Sequence, residues 1–336
     1  MDFLNALTVL GNYILVPGLA YGSQLALGAL GITLVYGILR FSNFAHGETM
    51  SFGAMFAILF MWLFQSLGIS IAPLPTILIA LVPAIFCTVA FVLFTDRFVY
   101  RFYRKQKVKP VILLVASTGV MFLMNGIIRF IIGPDDQRVT DGERFVLRAR
   151  DFKQMTGLDE GLAIKTSQVL TVVTAVLIVA VLFWFLERTK SGKSMRAYSD
   201  NENLALLSGI NPDRVVMIAW TIAAVLATVA GSLYGLDKGY KPFTFLQLLL
   251  PLFAAAIVGG IGNPIGAIVG GFVIAFSEIT ITYAFKKFAT YLVPEAWAPE
   301  GLLQLLSTDY KFAVSFMILV VVLVVMPTGI FKGKSL

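Results

Sequence analysis

Few side chains in this sequence have the types and spacing that chemistry needs. The run Asn43-Phe-Ala-His-Gly-Glu sets an amide, the chain's one histidine (His46) and a carboxylate (Glu48) between two apolar segments. Asn43 is placed to cap the helix that follows, His46 to hydrogen-bond across a bundle, and Glu48 to favour a helix N-terminus. One His and one Glu are too few ligands for a closed metal site. The block therefore reads as a structural lock at a bundle end, as lining of a solute path, or as a proton-handling group. Glu278 differs, because it stands inside a long apolar segment, where a carboxylate is costly and is by default a functional residue. It is either a wet position near the outer interface, since Tyr283, Lys286 and Lys287 follow, or a polar wall of a path, answered by Arg129. Gln24, Ser117, Asn125 and Thr280 are further polar candidates for the same path.

Two stretches imitate nucleotide sites and fail on spacing. Gly259-Gly-Ile-Gly-Asn-Pro-Ile-Gly lacks a preceding strand and the full GxGxxG pattern. Gly262, Gly266 and Gly270, with Gly259 beside them, instead predict one small-residue helix face for close packing. Ser191-Gly-Lys-Ser would need a glycine at position 187, where Glu187 stands, so no phosphate-cradling loop is encoded. No metal or other cofactor is expected on this chain, and any ATP would have to be bound by another subunit.

The elements that must position these residues are membrane helices. Of 336 residues, 58% are hydrophobic and 13% charged, against roughly 25% charged in soluble domains. Mean hydropathy is +0.86. The net charge of +7 sits in loops, which fits membrane orientation better than nucleic acid. Cys87 is the only cysteine, so no internal disulfide forms. The N-terminus carries an acid and no basic region, which predicts no cleavable signal peptide.

Apolar runs predict an all-α polytopic bundle of about nine spans, with eight to ten allowed by length. They cover 13–39, 48–67, 76–94, 111–132, 167–186, 215–236, 246–261, 265–285 and 312–326. Residues 246–285 are either two crossings or a re-entrant pair. Asp96–Lys109 carries six basic residues and is expected in the cytoplasm as a loop. The near-balanced outer loop 133–166 holds a strand-like alternation at Arg144–Arg148. Lys332 and Lys334 place the C-terminus inside, and nine crossings then place the N-terminus outside. No repeat or domain boundary is visible, so residues 1–336 read as one membrane domain.

The longest polar stretch on the basic side is 190–214. It predicts a turn at Ser199-Asp-Asn capping a short helix from Glu202, ended by Gly209 in a left-handed conformation. A folded knob of this kind serves a partner that presses on it; a plain solvated connection is the alternative.

Met195-Arg-Ala through Leu207-Ser-Gly-Ile-Asn-Pro-Asp-Arg-Val resembles the cytoplasmic coupling segment of the branched-chain amino acid ABC permeases, LivH type. Val35-Tyr-Gly-Ile-Leu-Arg, Asn43-Phe-Ala-His-Gly-Glu, Ala254 through Ala267, Ser307-Thr-Asp-Tyr-Lys and Val325-Met-Pro-Thr-Gly are similar to the same family, so the resemblance spans nearly the whole chain. It implies an ABC importer permease of the bacterial inner membrane, not an enzyme. The implied partners are a related second permease, two ATP-binding subunits that hold ATP and Mg, and a periplasmic binding protein.

It also implies that the knob, with Arg196, Asp200, Glu202, Leu204, Leu207, Gly209 and Asn211, docks on the ATPase. The implied cargo is a branched-chain amino acid, with urea, amides and other amino acids carried by relatives. The chain departs from the family around Phe245 to Phe253, where the usual stretch is more polar and Leu248-Leu-Leu-Pro-Leu-Phe is wholly apolar; a more hydrophobic cargo, or one of different charge, is one consequence. A self-sufficient secondary transporter or channel is the competing class and would want several embedded carboxylates. An intramembrane enzyme lacks its motifs here.

Overall fold

The computed structural model describes residues 1–139, 141–292, 301 and 303–331. Lys332, Lys334 and the tryptophan-bearing part of the loop before Lys311 lie outside the described residues. Among the described residues, nine helices are long and apolar enough to cross a membrane. They are Asp2–Leu39, His46–Ser66, Ile77–Lys105, Pro110–Ile132, Thr166–Arg188, Pro212–Lys238, Pro242–Gly259, Pro264–Thr282 and Thr308–Val325, hereafter the first to ninth spans.

Two spans run further than hydropathy predicts. The first begins at Asp2 rather than near Tyr13 and passes through a wider π turn at Gly11–Leu15. The third continues through a second π turn at Asp96–Tyr100 to Lys105, so most of the predicted basic loop is helix. Asp96 makes this possible: its Oδ1 accepts from Trp220 Nε1 at 2.8 Å and pairs with Arg104 at 2.9 Å.

The first span is the central post, buried throughout from Ala20 to Ile38, with the sixth and eighth spans packed along it. The fifth and ninth spans lie at the periphery and expose large apolar side chains such as Trp184 and Val324, as lipid- or partner-facing helices do.

Small residues let the backbones approach closely. A Cβ on Gly266 would lie 2.2 Å from the Gly259 carbonyl oxygen, and one on Gly270 would lie 2.0 Å from that of Ala255. Gly262 does not share their helix face. It lies in the turn between the seventh and eighth spans with φ +88°, so the predicted four-residue stripe is an interlock of two helices.

The two ends of the bundle are distinct. At one end Arg101 pairs with Asp213 at 2.6 Å, which sets the basic end of the third span beside the knob. At the other, Phe145–Leu147 pairs antiparallel with Ile164–Lys165, as the alternation at 144–148 predicts. There Asn5 bonds Asp159, and Gln137 pairs with Tyr240. We call these the knob face and the loop face. The turn at Gly262-Asn263 lines a cleft with Arg196 and Asp200 on the knob face, so the seventh and eighth spans are two crossings and not a re-entrant pair.

Candidate functional site

The structure divides the polar candidates into two buried groups and the knob. The first group surrounds the start of the second span. That helix begins inside the bundle, because His46 packs on Gly31, about two turns before the first span ends. Non-helical backbone at such depth is tolerated only when protein satisfies its polar groups. Here Ser117 Oγ accepts from Phe44 N at 3.1 Å, and Asn43 Oδ1 accepts from Ala45 N at 3.2 Å and from the Tyr100 hydroxyl at 3.3 Å. Asn43 therefore braces the turn before the helix rather than capping the helix itself, which has no side-chain cap.

One turn of helix later, Glu48 is buried and accepts a 2.9 Å hydrogen bond from Asn125 Nδ2 of the fourth span. Arg129, on the same span, acts electrostatically on Glu48. It does not answer Glu278, as the sequence led us to expect. Five predicted residues (Asn43, His46, Glu48, Ser117 and Asn125) thus gather along one seam. Gln24 stands outside it, donating from Nε2 to the Leu233 carbonyl at 3.4 Å between the first and sixth spans.

The second group opens toward the loop face. Glu278, on the eighth span, is buried, and its Oε1 accepts from Ser315 Oγ of the ninth span. Its Oε2 and the Tyr21 hydroxyl find no partner beyond each other. Both line a cavity of about 380 Å³ with Lys311 and Tyr234. Sequence reading missed Lys311, Ser315 and Tyr21. Lys311 and Ser315 are four positions apart on one apolar helix, and that spacing was the available signal, since it puts them on one face.

The knob is more ordered than a polar loop. Lys190–Asp200 is a helix, so Ser199 and Asp200, expected in a capping turn, form its last residues. Thr189 Oγ1 caps it by accepting from Gly192 N at 3.0 Å. Glu202–Leu207 follows, as expected, with Asn201 Oδ1 accepting from Leu204 N at 3.1 Å. Gly209, at φ +78°, ends it, and Ile210 N reaches back to the Ala205 carbonyl at 3.0 Å, a left-handed helix stop.

Of the residues expected at a partner surface, two are used internally. Glu202 accepts from the Tyr198 hydroxyl at 2.7 Å, a bond that with burial raises the Tyr198 pKa, and Asn211 Oδ1 caps the sixth span through Arg214 N. Arg196 and Asp200 are exposed, and Leu204 and Leu207 are 61% and 85% exposed. Ser199 fastens the knob to the first span through the Gly37 carbonyl at 3.0 Å.

A buried helix start, two embedded carboxylates and a braced terminal knob on nine spans define a polytopic transport subunit. Residues 14–323 match the family described as the branched-chain amino acid transport system / permease component, and the chain belongs to that family. The high-affinity branched-chain amino acid transport system permease protein LivH of Escherichia coli K12 is 32% identical, covering 93% of this chain and 92% of that protein. BraD of Pseudomonas aeruginosa, of the same description, is 31% identical over 94% of both chains. The solved structure of PsaBC from Streptococcus pneumoniae in complex with Fab superposes with a TM-score of 0.47 at 12% identity, covering 98% of this chain and 93% of that one. The chain is thus a multi-pass membrane permease component, a transport subunit and not an enzyme.

Proposed function

We propose that this chain forms one half of the membrane path of an ATP-driven importer. A related second permease completes the path, two ATP-binding subunits hold ATP and Mg against the knob face, and a periplasmic binding protein delivers cargo at the loop face. The cargo is a branched-chain amino acid, following the relatives' names. The knob face is then cytoplasmic and the N-terminus outside, which agrees with the basic residues gathered beside the knob.

The observation that carries this reading is the knob. Two short helices, separately capped and tied to the first span, hold Leu204 and Leu207 out into solvent beside Arg196 and Asp200. A mere connection has no use for exposed leucines on a braced scaffold. Force applied there reaches the central post through Ser199 and Gly37 and would rock the bundle between its two openings.

Glu48 and Glu278 give the competing reading, a self-sufficient secondary transporter, two embedded carboxylates for ion coupling. Purification from the native membrane in mild detergent separates the two. Recovery of two ATP-binding chains and a second permease is the expected result. A chain that purifies alone and moves solute without ATP overturns the importer reading.

A further inference from the structure

We propose that the loop-face cavity at Glu278 is a binding site for the charged head of a free α-amino acid, held within this single chain. The cavity is walled by the first, sixth, eighth and ninth spans and rimmed by exposed Thr308, Asp309 and Lys238. At about 380 Å³ it falls at the small end of the range for small-molecule sites, roughly 300–1,000 Å³.

Its walls present a carboxyl group and an ammonium group that form no direct ion pair. Lys311 acts electrostatically on Glu278, yet no ion pair within 4.0 Å joins them among the described residues. The Lys311 ammonium lies instead over the rings of Phe312, at 4.6 Å, and Tyr21, at 5.9 Å. Two buried oxygens, Glu278 Oε2 and the Tyr21 hydroxyl, face the same space with no partner beyond each other.

A ligand that satisfied only one wall would leave the other charge buried and unpaired, which is costly. A zwitterion satisfies both. Its ammonium donates to Glu278 Oε2 and Tyr21 Oη, and its carboxylate accepts from Lys311. Pro17 and Ile279 supply apolar wall for a side chain. This deepens the importer reading by giving cargo a resting place on the delivery side.

The test uses the assembled complex in lipid nanodiscs, without binding protein or ATP, titrated with leucine, leucinamide and 4-methylpentanoate. The last two lack the carboxylate and the amine respectively. Leucine is expected to bind at least about tenfold more tightly than either analogue, the worth of one charged hydrogen bond. Glu278→Gln should remove the preference over 4-methylpentanoate, and Lys311→Met the preference over leucinamide.

A second measurement leaves both residues intact. Thr308→Cys at the rim is labelled with a membrane-impermeant maleimide, against the background of half-buried Cys87, and leucine should slow the labelling. Unchanged preferences in both variants, or labelling indifferent to leucine, overturns the proposal. If the ATP-binding subunits remain in that preparation, the importer reading survives such a failure. If they are absent while the preferences hold, the importer reading falls and the site stands.

Discussion

Glu48 and Glu278 are both buried membrane carboxylates, and they sit in opposite surroundings. Glu48 lies against protein on the inner half of a seam, its one hydrogen bond coming from Asn125 of the half-exposed fourth span. Glu278 opens on a cavity shared with Lys311 and the Tyr21 hydroxyl. A buried charge without partners is costly in either place. The difference is what can answer it: Glu48 depends on a neighbouring helix, whereas Glu278 has room for solute or water. On this account the first carboxylate holds the bundle together, and the second reads what enters it.

The largest effect is expected at Asn125. Asn125→Leu strips Glu48 of its hydrogen bond in a closed site and should cost about 3 kcal/mol, seen as a lower unfolding midpoint in detergent. An unchanged midpoint would remove the structural role of the Glu48 seam. Ser117→Ala should cost less, about 2 kcal/mol, by leaving the Phe44 N–H without its partner at depth. Ser315→Ala removes a partner of Glu278 in the same way, yet should cost only about 1 kcal/mol because the cavity admits water to replace it. A Ser315→Ala loss as large as that of Asn125→Leu would abolish the distinction between the two carboxylates.

The smallest effect lies at the loop face. Burial would raise the Glu160 pKa, but hydrogen bonds from Lys287 at 2.7 Å and Tyr291 at 2.6 Å outweigh it and hold the carboxyl below its usual range. The same hydrogen bond pushes Tyr291 up to about 12. A depressed carboxyl stabilises the fold above its unfolded value, about 4.3, and loses that contribution as pH falls through its folded value. Glu160→Gln should therefore unfold slightly earlier than wild type at neutral pH, and the gap should close in acid.

Hydropathy made most of the span architecture legible, because twenty apolar residues in lipid have few alternatives to a helix. The short helix at Glu202 and its Gly209 stop were legible from local capping chemistry alone. What escaped needed tertiary partners. The third span's extension past Phe94 rests on Trp220, 124 positions away from Asp96. The helix Lys190–Asp200 is polar and rests on Gly192, Met195 and Tyr198, which are buried against the bundle. The site was half legible. The residues of the 43–48 seam were marked by type, but that its helix starts inside the bundle was not. Glu278 was marked by its setting, while its hydrogen-bond partner proved to be Ser315 on the ninth span and not Arg129, because no local spacing links spans that lie far apart in the chain.

In the proposed importer, solute moves only when force arrives at the knob. Uptake of radiolabelled leucine into proteoliposomes of the assembled complex, with ATP supplied at the knob face, tests it most directly. Accumulation should require ATP and binding protein, and Leu207→Arg, on the most exposed knob leucine, should abolish it while the chain still inserts. Accumulation without ATP, or undiminished in Leu207→Arg, would contradict it.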